Sequence, residues 1–221
     1  TEANGWACGR WGTILHTSNG GNTWEIQNEG STKPLYAVAG LSPKSAIAIG
    51  AEGTILRTSN GGEIWESIAS GTNSLLYSMC FIDSLVGYIC TAVSSSGNEL
   101  YKTTDAGLTW TSSNTGIKQQ ITDIHFSSES DGYIVVGGWD QGAIYKTNDG
   151  GNSWLKEITT TNYGLNSVFS MDSVAWAVGY NWVILKTVNN KKDWITVVQG
   201  NITMKELRSV TNAGNNIVIA A

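Results

Sequence analysis

The sequence predicts an all-β fold, a β-propeller built from four-stranded antiparallel blades. Three observations lead to this prediction: a composition rich in turn residues and aromatics, an internal repeat, and short apolar segments between turn residues. The chain has 221 residues with 26 Gly and 10 Trp but only 2 Pro, and charged residues make up 14% of it. Globular proteins contain about 25% charged residues on average. The bias therefore favours a protein with many tight turns and large buried side chains.

The repeat is a short box in which Thr is followed two residues later by Asn or Asp and seven residues later by Trp. It occurs five times, and successive tryptophans are 41, 45, 44 and 40 residues apart. A period of this length is typical of one four-stranded propeller blade, whereas helical repeats need a 3.6-residue apolar periodicity that the sequence lacks. The boxes are residues 17–24, 58–65, 103–110, 147–154 and 187–194.

Apolar segments between the boxes predict the strands of each blade. In the second repeat, turn residues bound four such segments, at 35–41, 45–50, 53–58 and 64–69. Many segments are apolar at every position, which is expected when each sheet is buried between two neighbours. The first segment recurs at 76–83, 121–126, 165–170 and 207–212, and the second recurs with an opening residue that is Trp6, Ile47, Tyr88, Tyr133 or Trp176.

The position before each box Thr is polar in every repeat. We expect this position to be exposed, and we interpret its histidine as a surface residue rather than a catalytic base. The position holds His16, Arg57, Lys102, Lys146 and Lys186.

Each box is predicted to form a hairpin turn. The Thr hydroxyl and the Asn or Asp side chain can bond to nearby backbone groups, while Gly supplies the positive φ that the turn requires. The Trp ring is expected to bury against the sheet, with its N–H bonded to a backbone acceptor. Because the same chemistry recurs in every repeat, the boxes are predicted to be structural. Their residues are Thr17, Asn19, Gly21, Trp24, Thr58, Asn60, Gly62, Trp65, Thr103, Asp105, Gly107, Trp110, Thr147, Asp149, Gly151, Trp154, Thr187, Asn189 and Trp194.

The predicted number of blades is five, with the two ends of the chain sharing one blade. The sequence begins in the turn before a second strand and ends after a first and a second strand, which leaves one strand beyond five blades. Pairing strands from the two ends closes a ring and removes exposed strand edges. The alternative is part of a six- or seven-bladed ring. Residues 1–221 are predicted to form a single β-propeller domain.

The box pattern S/T-x-D/N-x-G-x-x-W resembles the Asp-box, or bacterial neuraminidase repeat. The G-x-x-G-T-I-L segments at residues 9–15 and 50–56 are similar to those of the photosystem II stability and assembly factor family, and the resemblance covers nearly the whole chain. It implies a propeller whose boxes join strands three and four, remote from the face that family members use for ligands. It also implies a scaffold or chaperone that docks on a membrane complex outside the cytoplasm. The fifth box departs from the pattern, because Asn190, Lys191 and Lys192 replace its glycines.

The loops between strands two and three are the least repetitive parts of the sequence. Binding residues often lie on such loops of a rigid scaffold. Flat aromatic rings with polar neighbours can stack on sugars or anchor a protein partner. The alternative is that these rings pack against one another or cover the mouth of a central channel. The candidate binding residues are Arg10, Trp11, Glu52, Trp139, Asp140, Gln141, Tyr180, Asn181 and Trp182.

The predicted function is a non-catalytic interaction or scaffold module that binds a protein partner, or a larger extracytoplasmic assembly, through this loop face. Carbohydrate binding by the aromatic loops is the first alternative, and glycoside hydrolysis is the second. Sialidases of this fold bind a substrate carboxylate with an arginine cluster, for which only Arg10 and Arg208 are available. Hydrolysis needs two carboxylates close together, and the sequence does not pair Glu52, Asp123 and Asp140. The protein is therefore predicted not to be an enzyme.

Charge and cysteine content exclude further classes. A net charge of −5 with three arginines offers no basic surface for nucleic acid or anionic lipid. No apolar run approaches the roughly 20 residues of a membrane helix. We predict no metal site and no cofactor, since Cys8, Cys80 and Cys90 lack metal-ligand spacing. A disulfide between Cys80 and Cys90 stays open as an alternative, because both flank one hairpin.

Overall fold

The protein is described by a computed structural model that covers residues 3–27, 32–92, 98–137, 141–161, 163–171, 174–188, 193–198, 206–213 and 216–220. Two compact units are present, the first comprising Thr1–Ser94 with Glu99–Ser113 and the second comprising Ser95–Asn98 with Asn114–Ala221. Almost all regular structure in the described residues is β-strand. That the whole chain forms a single domain stays a prediction.

The first unit contains three antiparallel sheets that follow one another along the chain. The second sheet packs against the first, and the third packs against the second. Two short 3-10 turns, Arg10–Gly12 and Ala51–Gly53, each join the second and third strands of a repeat. In order, the sheets are β1 (Gly5–Cys8), β2 (Ile14–Thr17) and β3 (Glu25–Gln27); β4 (Leu35–Gly40), β5 (Ala46–Gly50), β6 (Ile55–Thr58) and β7 (Glu66–Ser67); and β8 (Leu76–Phe81), β9 (Gly87–Thr91), β10 (Glu99–Thr103) and β11 (Thr111–Asn114).

The second unit repeats this arrangement with two four-stranded sheets and a final hairpin. The second sheet packs against the first, and the hairpin packs against the second sheet. In order, these are β12 (Ile121–Phe126), β13 (Gly132–Val136), β14 (Gly142–Thr147) and β15 (Leu155–Thr161); β16 (Leu165–Met171), β17 (Val174–Gly179), β18 (Ile184–Val188) and β19 (Asp193–Val198); and β20 (Ser209–Ala213) and β21 (Asn216–Ala220).

The predicted fold class is confirmed, since the strand order within each sheet and the number of strands are consistent with a five-bladed β-propeller. Two predicted strands of the second repeat are shorter than expected. The segment predicted at 53–58 becomes strand only at Ile55, because residues 51–53 form a 3-10 turn. The segment predicted at 64–69 is reduced to β7, the outermost strand, which pairs through only two residues.

In the first three sheets that have four strands, the second strand is buried along its whole length. Every residue of β5, β9 and β13 is buried. For β5 both faces are covered within its unit, one in the cluster with Ile14 and the other in the cluster with Leu76, so alternation between polar and apolar residues is absent. The continuous apolar segments noted in the sequence therefore form the core of each unit.

A hydrogen-bond network organises the first four boxes in the same way. The Thr Oγ1 accepts the N–H of the residue four positions later, and the distance is 2.9 Å in all four boxes. The same hydroxyl donates to the Asn or Asp Oδ1 at 2.7–3.0 Å. That Oδ1 in turn accepts a backbone N–H from the residue before the Trp. One hydroxyl and one side-chain oxygen thus replace the backbone ladder in the turn.

The glycine at the fifth box position is required by both conformation and space. Gly107 has φ +78°, and a Cβ there would collide with Ile47 of the preceding sheet. Arg57 of that sheet also donates its Nε–H to the backbone oxygen of Ala106, at 3.0 Å. A side chain at Gly107 would push the box away from the neighbour on which it packs.

The fifth box differs from the other four. Thr187 Oγ1 accepts the N–H of Ala175 in β17 at 2.7 Å, and β18 and β19 remain paired up to Val188 and Asp193. Asn189 lies outside the described residues. The departure of this box from the sequence pattern is thus accompanied by a different hydrogen-bond partner for its Thr hydroxyl.

Three box tryptophans pack on the preceding sheet. Trp65 is only 7% exposed, and its indole donates to Gln27 Oε1 at 3.1 Å. Trp110 joins the apolar cluster around Ile47. Trp194 packs edge-on against Tyr133, with centroids 5.7 Å apart. These rings connect successive sheets within each unit.

The expectation that every box ring is buried is wrong for Trp24. It is 44% exposed, because its sheet is the first in its unit and no described sheet of that unit precedes it. The indole N–H partners also vary. Trp110 donates to a backbone oxygen, that of Gly107 at 3.1 Å, whereas Trp194 donates to the Glu157 carboxylate at 2.7 Å.

The polar residue before each box Thr is less exposed than predicted. It lies opposite the opening residue of the second strand, which is aromatic in four repeats, for example Trp6 opposite His16. The His16 ring is half-buried and stacks on Trp6 with centroids 4.6 Å apart. In the equivalent pairs, Lys102 lies over Tyr88 at 5.3 Å and Lys186 lies over Trp176 at 4.8 Å. The three lysines at this position are thus the cations of cation–π pairs, whereas Arg57 lies opposite Ile47. Predicting His16 as a surface residue was wrong.

The three cysteines are free thiols. Cys80 pairs with Tyr88 across β8 and β9, and Cys90 pairs with Ser78, so the two thiols are offset along the ladder. The alternative of a disulfide is therefore wrong. Burial raises the pKa of Cys8 to about 11, so this thiol stays protonated at neutral pH.

Replacing Trp110 by Ala should lower the free energy of unfolding by about 3–5 kcal/mol, since it removes a large ring from the core. Urea denaturation measures the change. Trp24→Ala is the matched control, because its ring is exposed, and it should cost clearly less. Equal losses in the two variants would contradict the role assigned to the box rings.

Asp149 should make the free energy of unfolding depend on pH in the acidic range. Hydrogen bonds from Ser153 and Thr147 lower the pKa of this carboxyl from 3.8 to about 2. Its contribution is therefore complete above about pH 4 and is lost as the pH falls towards 2. The stability difference between the wild type and Asp149→Asn, followed by urea denaturation, should shrink over that interval. In the second box, Asn60→Asp should introduce the same pH dependence. If the stability difference from the wild type does not vary with pH for either variant, the role assigned to the box carboxylate is contradicted.

Candidate functional site

Three of the loops predicted to bind share one turn in the part of the chain that the structure describes. Its five residues are 9–13, 50–54 and 179–183 in the three copies. The first residue, always Gly, donates its N–H to the carbonyl of the fifth at 3.0, 2.9 and 3.2 Å. The N–H of the fifth donates to the carbonyl of the second at 3.2, 3.1 and 3.2 Å. In the second repeat this turn precedes β6 and the box follows it, so turn and box lie at opposite ends of the sheet.

The third residue of each turn is held in the left-handed region. Trp11, Glu52 and Asn181 have φ of 61°, 54° and 54°. This conformation is uncommon for residues with a Cβ, and the hydrogen bonds of the turn hold it in place. The consequence is a side chain presented at a fixed position. Trp11 is 80% exposed there.

The structure places the predicted site residues in two groups. Arg10, Trp11 and Glu52 lie in the first unit and are exposed. Gln141 is exposed in the second unit, where Tyr180, Asn181 and Trp182 are half-buried. Trp139 and Asp140 lie outside the described residues. The binding role of all nine residues stays a prediction.

Trp182 has a packing role. It occupies the fourth position of its turn, where the other two copies have glycine, with φ 58°. Its ring packs against the apolar cluster of Val178, Leu207 and Val210. Trp11 is not a member of the two apolar clusters described in its unit.

A cavity of about 430 Å³ opens beside Glu52. It is lined by Glu52, Gly53 and residues 68–73, and its volume falls within the range of small-molecule sites. At its edge, Ser70 Oγ donates to the backbone oxygen of Thr72 at 3.1 Å. Glu52 Oε2 forms an ion pair with Lys33 Nζ at 2.6 Å. The cavity is therefore polar, with one neutralised charge pair at its rim.

Tyr36 and Tyr77 were missed by the sequence reasoning. Each follows the first Leu of a first strand, at a β-bulge where β4 and β8 shift register against their partners. Their rings contact each other, with centroids 5.6 Å apart and planes inclined by 40°. Tyr36 is 46% exposed. The signal in the sequence is an aromatic residue directly after the opening Leu, which the second unit lacks.

The turns that hold Trp11 and Glu52 adjoin these tyrosines. The Arg10–Gly12 turn packs against β4, and Leu35 donates its N–H to the backbone oxygen of Gly9 at 3.0 Å. The Ala51–Gly53 turn packs against β8. We call Trp11, Tyr36 and Tyr77 the aromatic surface. It lies entirely within the first unit, at the turn end of the sheets.

Two of the three carboxylates considered for hydrolysis are occupied by other contacts. Glu52 pairs with Lys33. Asp123 Oδ2 accepts the hydroxyl of Ser167 at 2.8 Å and the N–H of Val168 at 2.9 Å, which joins β12 to β16. In the described residues, no cluster of three or more His, Cys, Asp or Glu side chains is arranged to hold a metal ion. The structure also describes no helix that is long and apolar enough to cross a membrane.

Comparisons with known proteins agree with this geometry. The family model described as "Photosynthesis system II assembly factor YCF48" matches residues 1–114 and 102–218. A search of curated proteins gives no match.

Solved structures share the fold at low sequence identity. The structure described as "YCF48 bound to D1 peptide" has a TM-score of 0.72 and 18% identity, covering 95% of this chain and 68% of its own. YCF48 from Cyanidioschyzon merolae has a TM-score of 0.72 and 18% identity, covering 100% of this chain and 78% of its own. An ancestral GH74 enzyme has a TM-score of 0.76 and 13% identity, covering 99% of this chain and 33% of its own.

Truncating the two turn tryptophans should separate their roles. Trp11→Ala should change the free energy of unfolding by no more than about 0.5 kcal/mol, as for other surface substitutions. Trp182→Ala should cost about 1–3 kcal/mol, less than the ~3–5 kcal/mol of a fully buried ring. Thermal and urea unfolding measure both values. A larger loss for Trp11 than for Trp182 would contradict this assignment.

Proposed function

Since the chain belongs to the YCF48 family of photosynthesis system II assembly factors, we propose that it is a non-catalytic module that binds a protein partner through the turn end of its sheets. The observation that carries the proposal is Trp11, a large ring that is 80% exposed at the tip of a rigid turn. Tryptophan and tyrosine are enriched among residues that dominate protein binding energy. A preformed turn also lowers the entropic cost of ordering such a contact.

The state of the carboxylates supports binding over catalysis. General acid catalysis of glycoside hydrolysis requires two carboxyl groups free to act on one bond. Glu52 is engaged by Lys33 at 2.6 Å, and Asp123 is engaged by Ser167 and Val168. The GH74 enzymes share the fold, and a shared fold does not carry an activity with it.

The charge of the chain bears on the kind of partner. A relative is described as bound to D1 peptide, and we propose a protein partner for this chain as well. With a net charge of −5 and three arginines, attraction by a large basic surface does not account for binding here. The partner contact is therefore proposed to be mainly aromatic. We place the protein outside the cytoplasm, docked on a larger assembly, as the family resemblance implies.

Glycan binding is the second candidate. The cavity beside Glu52, with Ser70 and Thr72 in its lining, supplies the polar groups that sugar recognition needs near an aromatic ring. Protein binding and glycan binding differ in the ligand that they predict, so both candidates are tested on the same protein.

The test is a selection of random 12-residue peptides displayed on phage against the immobilised full chain, alongside a glycan array and a panel of chromogenic glycosides. We expect selected peptides to bind with a Kd in the micromolar range by titration calorimetry, with no glycoside turnover. Trp11→Ala should weaken binding at least about tenfold, or about 1.4 kcal/mol. Trp24→Ala is the control, since it removes another exposed Trp of the same unit from the box end. Glycan binding without any selected peptide, or glycoside turnover, would overturn the proposal.

A further inference from the structure

We propose that Asn19 and Asn60 are sites of spontaneous deamidation, and that a backbone hydrogen bond from the following glycine holds the reaction in check while the protein is folded. The chain has three Asn–Gly steps, Asn4–Gly5, Asn19–Gly20 and Asn60–Gly61, of which the last two lie in the first two boxes. The modification concerns the scaffold and is independent of the proposed binding function. Its co-reactant is water, and its products are aspartate and isoaspartate.

The reaction begins when the backbone nitrogen of the residue after Asn attacks the side-chain Cγ. That nitrogen loses its proton, ammonia leaves from Cγ, and a five-membered succinimide forms. Water then opens one of the two ring C–N bonds, which gives either aspartate or isoaspartate. Glycine in the following position allows the attack most readily, because it has no side chain to hinder the approach and its backbone is conformationally permissive. The two box steps therefore have the most reactive sequence for this chemistry.

In both boxes the attacking nitrogen is engaged. The Gly20 N–H donates to the backbone oxygen of Ala3 at 2.8 Å, and the Gly61 N–H donates to that of Lys44, also at 2.8 Å. The acceptor lies two residues before the second strand of the same sheet in each of the first four boxes, and the other two bonds, from Ala106 to Leu85 and from Gly150 to Ser130, measure 3.0 Å. Since the nitrogen has to lose its proton before it attacks, this bond must open first, and the rate follows the population of the open state.

The side chain that is attacked is held as well. Asn19 Oδ1 accepts the Thr17 hydroxyl at 3.0 Å and the Thr23 N–H at 2.9 Å. Asn60 Oδ1 accepts the Thr58 hydroxyl at 2.9 Å and the N–H of residue 64 at 3.1 Å. These bonds fix the side-chain torsions, and closure of the five-membered ring has to change them. The fold thus restrains both partners of the reaction.

In the second repeat, one hydroxyl holds the protecting carbonyl in place. Ser42 Oγ accepts the N–H of Lys44 at 3.3 Å and the N–H of Ser45 at 3.0 Å. Leu41 also donates its N–H to the backbone oxygen of Ser45, at 2.8 Å. Removing the Ser42 hydroxyl should loosen this turn without touching the box itself. It should therefore accelerate deamidation at Asn60 and leave Asn19 unaffected.

The aspartate product fits the first box better than the second. Asp105 Oδ2 accepts the Thr109 hydroxyl at 2.6 Å, and Asp149 Oδ2 accepts the Ser153 hydroxyl at 2.6 Å. Asn19 Nδ2 donates to the Thr23 hydroxyl at 2.8 Å, and this hydroxyl can turn round to donate to an aspartate at the same position.

The second box has no hydroxyl at that position, because residue 64 is Ile, so an aspartate at 60 would lack the third bond. Isoaspartate adds an atom to the backbone of the turn and would break the network in either box.

The test follows deamidation of each Asn by peptide mapping and mass spectrometry after incubation of the folded full chain at mildly alkaline pH. Capped peptides of residues 17–24 and 58–65, incubated alongside, give the unprotected rates. We expect each site to react at least about tenfold more slowly in the folded chain, because opening by about 1.4 kcal/mol suffices for that factor. Equal rates in the chain and the peptides, or unreactive peptides, would overturn the inference.

Ser42→Ala should raise the rate at Asn60 at least about threefold, the size expected from the loss of a hydrogen bond, with Asn19 as the reference in the same molecule. Ser42→Thr keeps a hydroxyl and should retain the wild-type rate. Ser128→Ala is the matched control, because this hydroxyl accepts the N–H of Ser130 and of Asp131 in the equivalent turn of the fourth repeat. It should change neither rate.

Circular dichroism verifies that each variant folds, and the comparison of the wild-type chain with the peptides stands if Ser42→Ala does not. An unchanged rate at Asn60 in folded Ser42→Ala would overturn the role given to this turn. For the products, Asn19→Asp should have a urea midpoint at neutral pH no lower than the wild type and higher than that of Asn60→Asp. The reverse order would contradict the account of the third bond.

Discussion

The hydroxyl of the box threonine is the interaction on which the rest of this structure depends. In four of the five boxes it accepts a backbone N–H at 2.9 Å and donates to the neighbouring Asn or Asp. The resulting hairpin is tight enough for its glycine to lie against the preceding sheet, as Gly107 lies against Ile47. Without it, the Trp that follows would not reach the neighbouring core. Local turn chemistry thereby sets how each sheet packs on the one before it.

The two ends of each sheet have different physical constraints. At the box end, the same hydrogen bonds recur, and the Thr and Asn or Asp side chains are engaged in the turn. At the other end of three sheets, the turn is closed by backbone hydrogen bonds, as between Gly50 and Thr54 at 2.9 Å, and in two copies also by a Thr hydroxyl, as from Thr54 to the backbone oxygen of Ala51 at 2.6 Å. Its third side chain is therefore free to vary, and the three copies carry Trp11, Glu52 and Asn181. A fixed backbone with variable side chains is the arrangement expected of a recognition surface.

The first unit carries its exposed aromatic residues where the second unit carries structural polar ones. Thr122 and Asn166 tie neighbouring sheets together, and the tyrosines in the equivalent positions contact each other instead. The strand-three lysines form a separate layer, since Lys102, Lys146 and Lys186 each lie over an aromatic ring of strand two. These exchanges leave the fold unchanged because they occur at positions where the backbone, and not the side chain, sets the geometry.

The sequence by itself determined the repeat, the strands and the box chemistry, because these depend on contacts between residues close in the chain. Thr58, Asn60 and Gly62 predict their own turn, and apolar segments such as 46–50 predict buried strands. Tertiary structure alone decided which tryptophans are buried, that His16 stacks on Trp6, that Trp182 is a packing residue, and that Tyr36 meets Tyr77. Each of those outcomes depends on a neighbouring strand or sheet. The separation in sequence is 10 residues for Trp6 and His16 and 41 residues for Tyr36 and Tyr77. Contacts between repeats are not encoded within any one repeat, and that is where the candidate site lies.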